Sequence, residues 1–157
     1  MIASAIAGGL LGTVVLTTIV RAASEMNLTR MDFTLILGTM VTTDRRRARA
    51  YGYGIHFGVG LVIALLYVAV FVAIHRASWW LGALFGALHA VFLGVVVINV
   101  LLPVVHPLMG TPETSASEHA LIEPPGFLML NYGRSTFVIT LLAHIAFGAV
   151  VGWAVRL

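Results

Sequence analysis

Four long apolar runs constrain this chain more than anything else in it. They cover Ile2–Val20, Gly52–Ile74, Trp79–Val105 and Ser135–Val155, and each approaches the ~20 residues with which an α-helix crosses a ~30 Å hydrocarbon core. A soluble domain of 157 residues has nowhere to hide so much continuous apolar length. The expected fold is all-α: a four-helix transmembrane bundle, one integral membrane domain over residues 1–157, with a cytoplasmic cap formed by its two long loops. The composition agrees, since only 10% of the residues are charged and 60% are hydrophobic, against ~25% charged in an ordinary soluble domain. The first run is too long for the apolar core of a signal peptide and has no charge before it, so it reads as a span.

Arginine placement predicts the orientation. Every basic residue is an arginine; Arg21, Arg30, Arg45, Arg46, Arg47 and Arg49 lie between the first and second runs, and Arg134 precedes the fourth. Only Arg76, in the short link between the second and third runs, and Arg156 fall on the other side. Basic residues in short loops stay cytoplasmic. Both long loops are therefore expected inside, and both termini outside. No basic stretch is interleaved with aromatics, so nucleic acid is not an expected partner; the lipid bilayer is. The chain has no cysteine, which excludes disulfides, thiolate catalysis, iron–sulfur clusters and cysteine-type zinc sites.

The two loops carry structure of their own. Met31 to Met40 is apolar but too short to span, and is expected as a short helix at the interface or packed under the bundle. The segment 106–134 is broken by Pro107, Pro112 and the Pro124-Pro125-Gly126 turn. Its apolar residues Leu121, Ile122, Phe127, Leu128 and Leu130 predict that part of it docks back on the bundle.

Helical spacing gives each run one small or polar face. Gly9, Thr13 and Thr17 line up in the first, with Gly8 and Gly12 beside them. Tyr53, His56, Gly60, Ala64 and Tyr67 do so in the second, and Gly82, Gly86, His89 and Ala90 in the third. In the fourth, Thr136, Thr140, His144, Gly148 and Gly152 follow at steps of four. Small residues at this spacing let backbones approach closely in lipid, where hydrophobicity cannot drive association. Helix packing accounts for the glycines and threonines on these faces.

The histidines ask for more. At ~1.5 Å of rise per residue, His89 and His144 fall near the middle of their spans, His56 lies closer to the cytoplasmic end, and His106 sits at the interface. An ionisable group inside the membrane is a functional candidate with its partner to be named, and the pair named is His89 with His144. Two inward imidazoles at one depth suit a b-type haem or a shared metal ion, with His56 as a further ligand. The plainer alternative is that each neutral ring hydrogen-bonds a neighbour and sets helix register, in which case no cofactor is expected. A weaker metal set, His106 with Glu113, Glu118 and His119, lies at the second loop with Glu123 nearby. Its spacing matches no standard motif, and a solvated acidic loop is expected instead. No carboxylate stands inside any span, which argues against a proton-coupled carrier.

A set of short motifs is spread along nearly the whole chain: Gly8-Gly9…Gly12-Thr13…Thr17, Met31-Asp32…Leu37-Gly38-Thr39, Gly54-Ile55-His56-Phe57…Gly60…Tyr67, Gly86…His89, Leu102-Pro103…His106-Pro107, Pro125-Gly126-Phe127 and Ala143-His144…Gly148…Gly152. In these the chain resembles an uncharacterised family of small bacterial four-span membrane proteins. The resemblance implies a bacterial inner membrane and a family pattern that includes His56, His89, His106 and His144, but it brings no reaction with it. The expectation is a non-catalytic integral membrane protein, an accessory or packing subunit of a larger membrane assembly or a homo-oligomer. The alternative is a small haem- or metal-binding membrane protein, and the third reading a minor solute or ion carrier.

Overall fold

The computed structural model describes residues 2–110 and 122–155. Its helices are α1 (Ile2–Glu25), a short α2 (Phe33–Thr39), α3 (Arg45–Ala73), α4 (Trp79–Val105) and α5 (Thr136–Ala154). All but α2 are long and apolar enough to cross a membrane. The helix α3 begins earlier than the apolar run it contains, because Asp44 caps it: the carboxylate accepts from the backbone N–H groups of Arg46 and Arg47. The arginine cluster is thus the first turns of a helix, not a loop. At the opposite end of the bundle Ser78 caps α4 in the same way, accepting from the N–H of Leu81.

Glycine decides which helices touch. A Cβ on Gly82 or Gly86 of α4 would run into the carbonyls of Gly148 and His144 on α5, and one on Gly152 into that of Ser78. The two backbones are in contact along an antiparallel seam. On α1, two glycine faces serve two neighbours. Gly8 and Gly12 meet Val151, Ala154 and Phe147 of α5, while Gly9 meets Ala64 of α3 and Thr13 presses on Gly60. The helices α3, α1, α5 and α4 therefore stand in that spatial order, each antiparallel to the next. The threonines on these faces spend their hydroxyls inside their own helix, Thr13 on the Gly9 carbonyl at 2.8 Å and Thr17 on that of Thr13 at 2.6 Å, so they pack without leaving a polar group unmet.

The last seam, between α3 and α4, is built differently. Among the described residues no glycine joins these helices, and their side chains rather than their backbones meet. Phe71 stacks on Phe85 with centroids 5.4 Å apart, and Tyr67 meets Phe85 edge-on at 5.6 Å. At the arginine end α2 fills the gap, lying antiparallel on the first part of α3: Gly38 touches the Ala48 backbone, and Gly52 that of Thr34. Asp32 caps α2 and accepts from Arg49 of α3 at 2.9 Å. The short helix expected from the Met31–Met40 stretch is thus a packed part of the wall.

The second loop closes the same end. Met109 and Ile122 form an isolated bridge, and Met129 and Tyr132 of a 3-10 turn (Phe127–Tyr132) bury beside Ile98 and Leu102 of α4. Docking does use this segment, but not through all the residues expected. Of the expected residues Ile122 is buried and Leu128 half-buried, but Phe127 is 60% and Leu130 47% exposed, and Met109, Met129 and Tyr132 take the other buried places. Leu121 lies outside the described residues.

Candidate functional site

Between the aromatic closure and α2, the spread helices leave a cavity of about 180 Å³. Each wall comes from a different element: Thr13, Leu16 and Val20 of α1, Phe33 and Ile36 of α2, His56, Val59 and Ile63 of α3, His89, Leu93 and Val97 of α4, and Thr140, His144 and Phe147 of α5. The three intramembrane histidines thus converge on one space. Every other lining side chain except Thr13 and Thr140 is apolar, and none is a carboxylate, arginine or lysine.

His89 and His144 are direct neighbours, their ring centroids 4.9 Å apart and their planes nearly perpendicular. His144 is buried, and its Nδ1 lies 2.8 Å from the Thr140 carbonyl. A carbonyl only accepts, so Nδ1 carries the proton and Nε2 keeps the lone pair. Nδ1 of His89 and Nε2 of His56 are buried without a hydrogen-bond partner, as is the Tyr67 hydroxyl behind them. Phe33 of α2 packs on the His56 ring with centroids 4.4 Å apart. A buried polar group left without a partner costs ~1–3 kcal/mol, so three of them in one small region are a departure from ordinary packing.

The geometry bears on what the histidines can hold. Two imidazoles that hold one haem iron would have to face each other with the macrocycle between them. Here the rings of His89 and His144 touch edge to face, and the cavity is smaller than the ~300 Å³ at which pockets for drug-sized ligands begin. A haem between them does not fit this arrangement. Among the described residues no three His, Asp or Glu side chains are gathered as a metal site.

His106 is spoken for. Its Nδ1 accepts from the Leu108 N–H at 3.1 Å, so Nε2 carries the proton and meets the Ile36 carbonyl at 2.9 Å and the Thr39 hydroxyl at 3.2 Å. With its lone pair engaged, the ring pins α2 to the end of α4 and has nothing to offer a metal. Glu113, Glu118 and His119 lie outside the described residues. Glu123 accepts from exposed Arg30 at 3.4 Å. Beside it the Tyr132 hydroxyl is pushed up to about 12 by burial and by the Glu123 carboxylate, against the pull of Arg30.

Two features of the site had no clear sign in the spacing of apolar residues. One is α2 as a wall. The other is a π-helical stretch, Leu93–Leu101, within α4, which contributes Leu93, Val97 and Ile98 to the cavity. Pro103 stands two residues past its end; a proline has no N–H to give and crowds the carbonyl one turn before it. Within the stretch, Asn99 spends its side-chain N–H on the carbonyls of Gly94 and Val95 at 2.5 and 3.1 Å, so its amide is not left unpaired among apolar neighbours. The signal available was an asparagine and a proline close together inside an apolar span. No family model, no curated protein and no solved structure matches the chain.

Proposed function

We propose that this protein is a non-catalytic packing subunit of a membrane assembly, joined through the outward face of α3. One observation carries the reading. The other glycines of the long helices meet a neighbouring helix or side chain, but Gly54 and Gly58 of α3 have nothing within 4 Å of the place a Cβ would occupy. They stand four residues apart on the exposed side, with exposed Val62 one turn further on. Glycines at this spacing weaken a helix and are useful where a second backbone comes close. The occupant that needs nothing beyond this chain is a second copy, because a two-fold contact places the same patch on both sides.

The test is the mass of the protein extracted gently into lipid nanodiscs. The wild type is expected as a dimer or larger assembly, and Gly54→Leu with Gly58→Leu as a folded monomer. A wild type that is monomeric at all concentrations, or an assembly indifferent to both substitutions, rejects the reading.

The proposal includes a place and an orientation: a bacterial inner membrane, with the arginine end in the cytoplasm and both termini outside. The arginine bias supports it. Since the chain lacks cysteine, single cysteines can be placed at exposed Met26 and Arg76. In intact cells a membrane-impermeant thiol reagent should label only the one at position 76, and labelling of position 26 alone would reverse the orientation.

A further inference from the structure

The cavity has a shape and a chemistry that narrow what can occupy it. An apolar cavity of ~150 Å³ holds a benzene ring, and this one, at about 180 Å³, accommodates a single substituted ring. Its walls are apolar apart from three imidazoles and two threonines, and no ionised group lines it, so a charged ligand would find no counter-ion. Two of those imidazoles each bury an unpartnered nitrogen, His56 Nε2 and His89 Nδ1. A neutral imidazole offers one N–H and one lone pair; it therefore meets a carbonyl or a hydroxyl equally well. His144, with Nδ1 committed to Thr140, offers a lone pair at Nε2 to a hydroxyl.

Access is from the bilayer. The space lies along the seam where α3 and α4 do not meet by their backbones, and Val59 of α3 both lines it and is 50% exposed. A molecule dissolved among the lipid chains could seat its ring there and leave its tail in the membrane. Water is the competing content, held by the same imidazole nitrogens, and a ring whose oxygens meet those nitrogens replaces its hydrogen bonds while covering the apolar walls.

We propose that this cavity binds the ring head of a neutral, membrane-dissolved molecule with hydrogen-bonding ring oxygens, the chemical class of lipid quinones and quinols. His56 and His89 meet the oxygens, Phe33 and Phe147 flank the ring, and the tail leaves between α3 and α4. The inference is independent of the glycine face on α3, since a monomer would keep the cavity.

The test uses the full chain, with ¹⁵N-labelled histidine, in nanodiscs of quinone-free lipid. The probes are 2-decyl-1,4-benzoquinone, whose ring bears only its two oxygens and the tail, and decylbenzene, which has the same carbon skeleton without the oxygens. Decylbenzoquinone should bind saturably, one per chain, moving the ring ¹⁵N resonances of His56 and His89 while those of His75 and His106 stay in place. Decylbenzene should bind at least about tenfold more weakly, since both histidine hydrogen bonds are lost. Val97→Phe, which fills the cavity from the half-buried wall and keeps every histidine, should abolish binding in a protein that still melts cooperatively. Absence of saturable binding to the wild type overturns the proposal. So does equal affinity for decylbenzene, or binding that leaves the His56 and His89 resonances unmoved.

Discussion

At Asp32 several interactions converge on one carboxylate. Oδ1 accepts from the Leu35 N–H at 2.9 Å and the Thr34 hydroxyl at 2.7 Å, and Oδ2 accepts from Arg49. Burial works against the ionised form, but the hydrogen bonds from Leu35, Thr34 and Arg49, together with the Arg49 charge, outweigh it and hold the carboxyl below its ordinary 3.8. A depressed folded value means the stabilisation is complete above the ordinary value and is lost as pH falls through the lower one. Asp32→Asn keeps part of the cap and should be less stable than wild type at neutral pH by about 1 kcal/mol. The gap should close as the pH falls below 3.8, which chemical denaturation in micelles at stepped pH would show. A gap that does not change with pH would mean the charge of Asp32 is irrelevant to the fold. Single residues of this kind were only partly legible. The inward histidines stood out because a polar ring within an apolar run is costly in lipid unless it turns toward the bundle interior. The pinning of α2 by His106 could not be read, because its partners Ile36 and Thr39 lie far away in sequence and act through a carbonyl and a common hydroxyl.

Among the elements, glycine spacing was the most readable signal and also the least discriminating. It marked Gly82, Gly86, Gly148 and Gly152 as packing residues, and these are the places where α4 and α5 touch. The same spacing joins Gly54 and Gly58, although they face outward. The difference lies in which side of α3 the neighbours occupy, and no period along one helix contains that. The contrast yields a prediction within one kind of substitution. Gly148→Leu forces a side chain between two backbones and should lower stability by ~1–3 kcal/mol or more. Gly58→Leu meets nothing inside the protomer and should leave a monomer as stable as wild type or more stable, by up to ~1 kcal/mol. Steric-trap or denaturant unfolding in bicelles measures both, and equal losses would show that spacing rather than contact governs the cost. The π-helical stretch escapes period analysis for a related reason. Inside it Asn99 donates to the Gly94 and Val95 carbonyls, and Pro103 withholds an N–H just past its end, local events within a run that is apolar all round.

As a whole molecule the protein is a bundle whose backbones close along three glycine-lined seams and part along the fourth. Overall class and span number were plain from length and apolarity alone, since little else can be done with such runs. The parted seam was not, because it depends on the aromatic bulk of Tyr67, Phe71 and Phe85 at one end and on α2 at the other. The exposed glycine face lies on the same helix as that seam, and the proposed assembly depends on its being a contact. A photoreactive phenylalanine analogue tests this in native membranes, placed either at Val62 on the Gly54/Gly58 face or at Leu88 on α4, both exposed. Irradiation should give an adduct of twice the chain mass from Val62 and none from Leu88. No doubled adduct from Val62, or the same yield from Leu88, would contradict the assembly through α3.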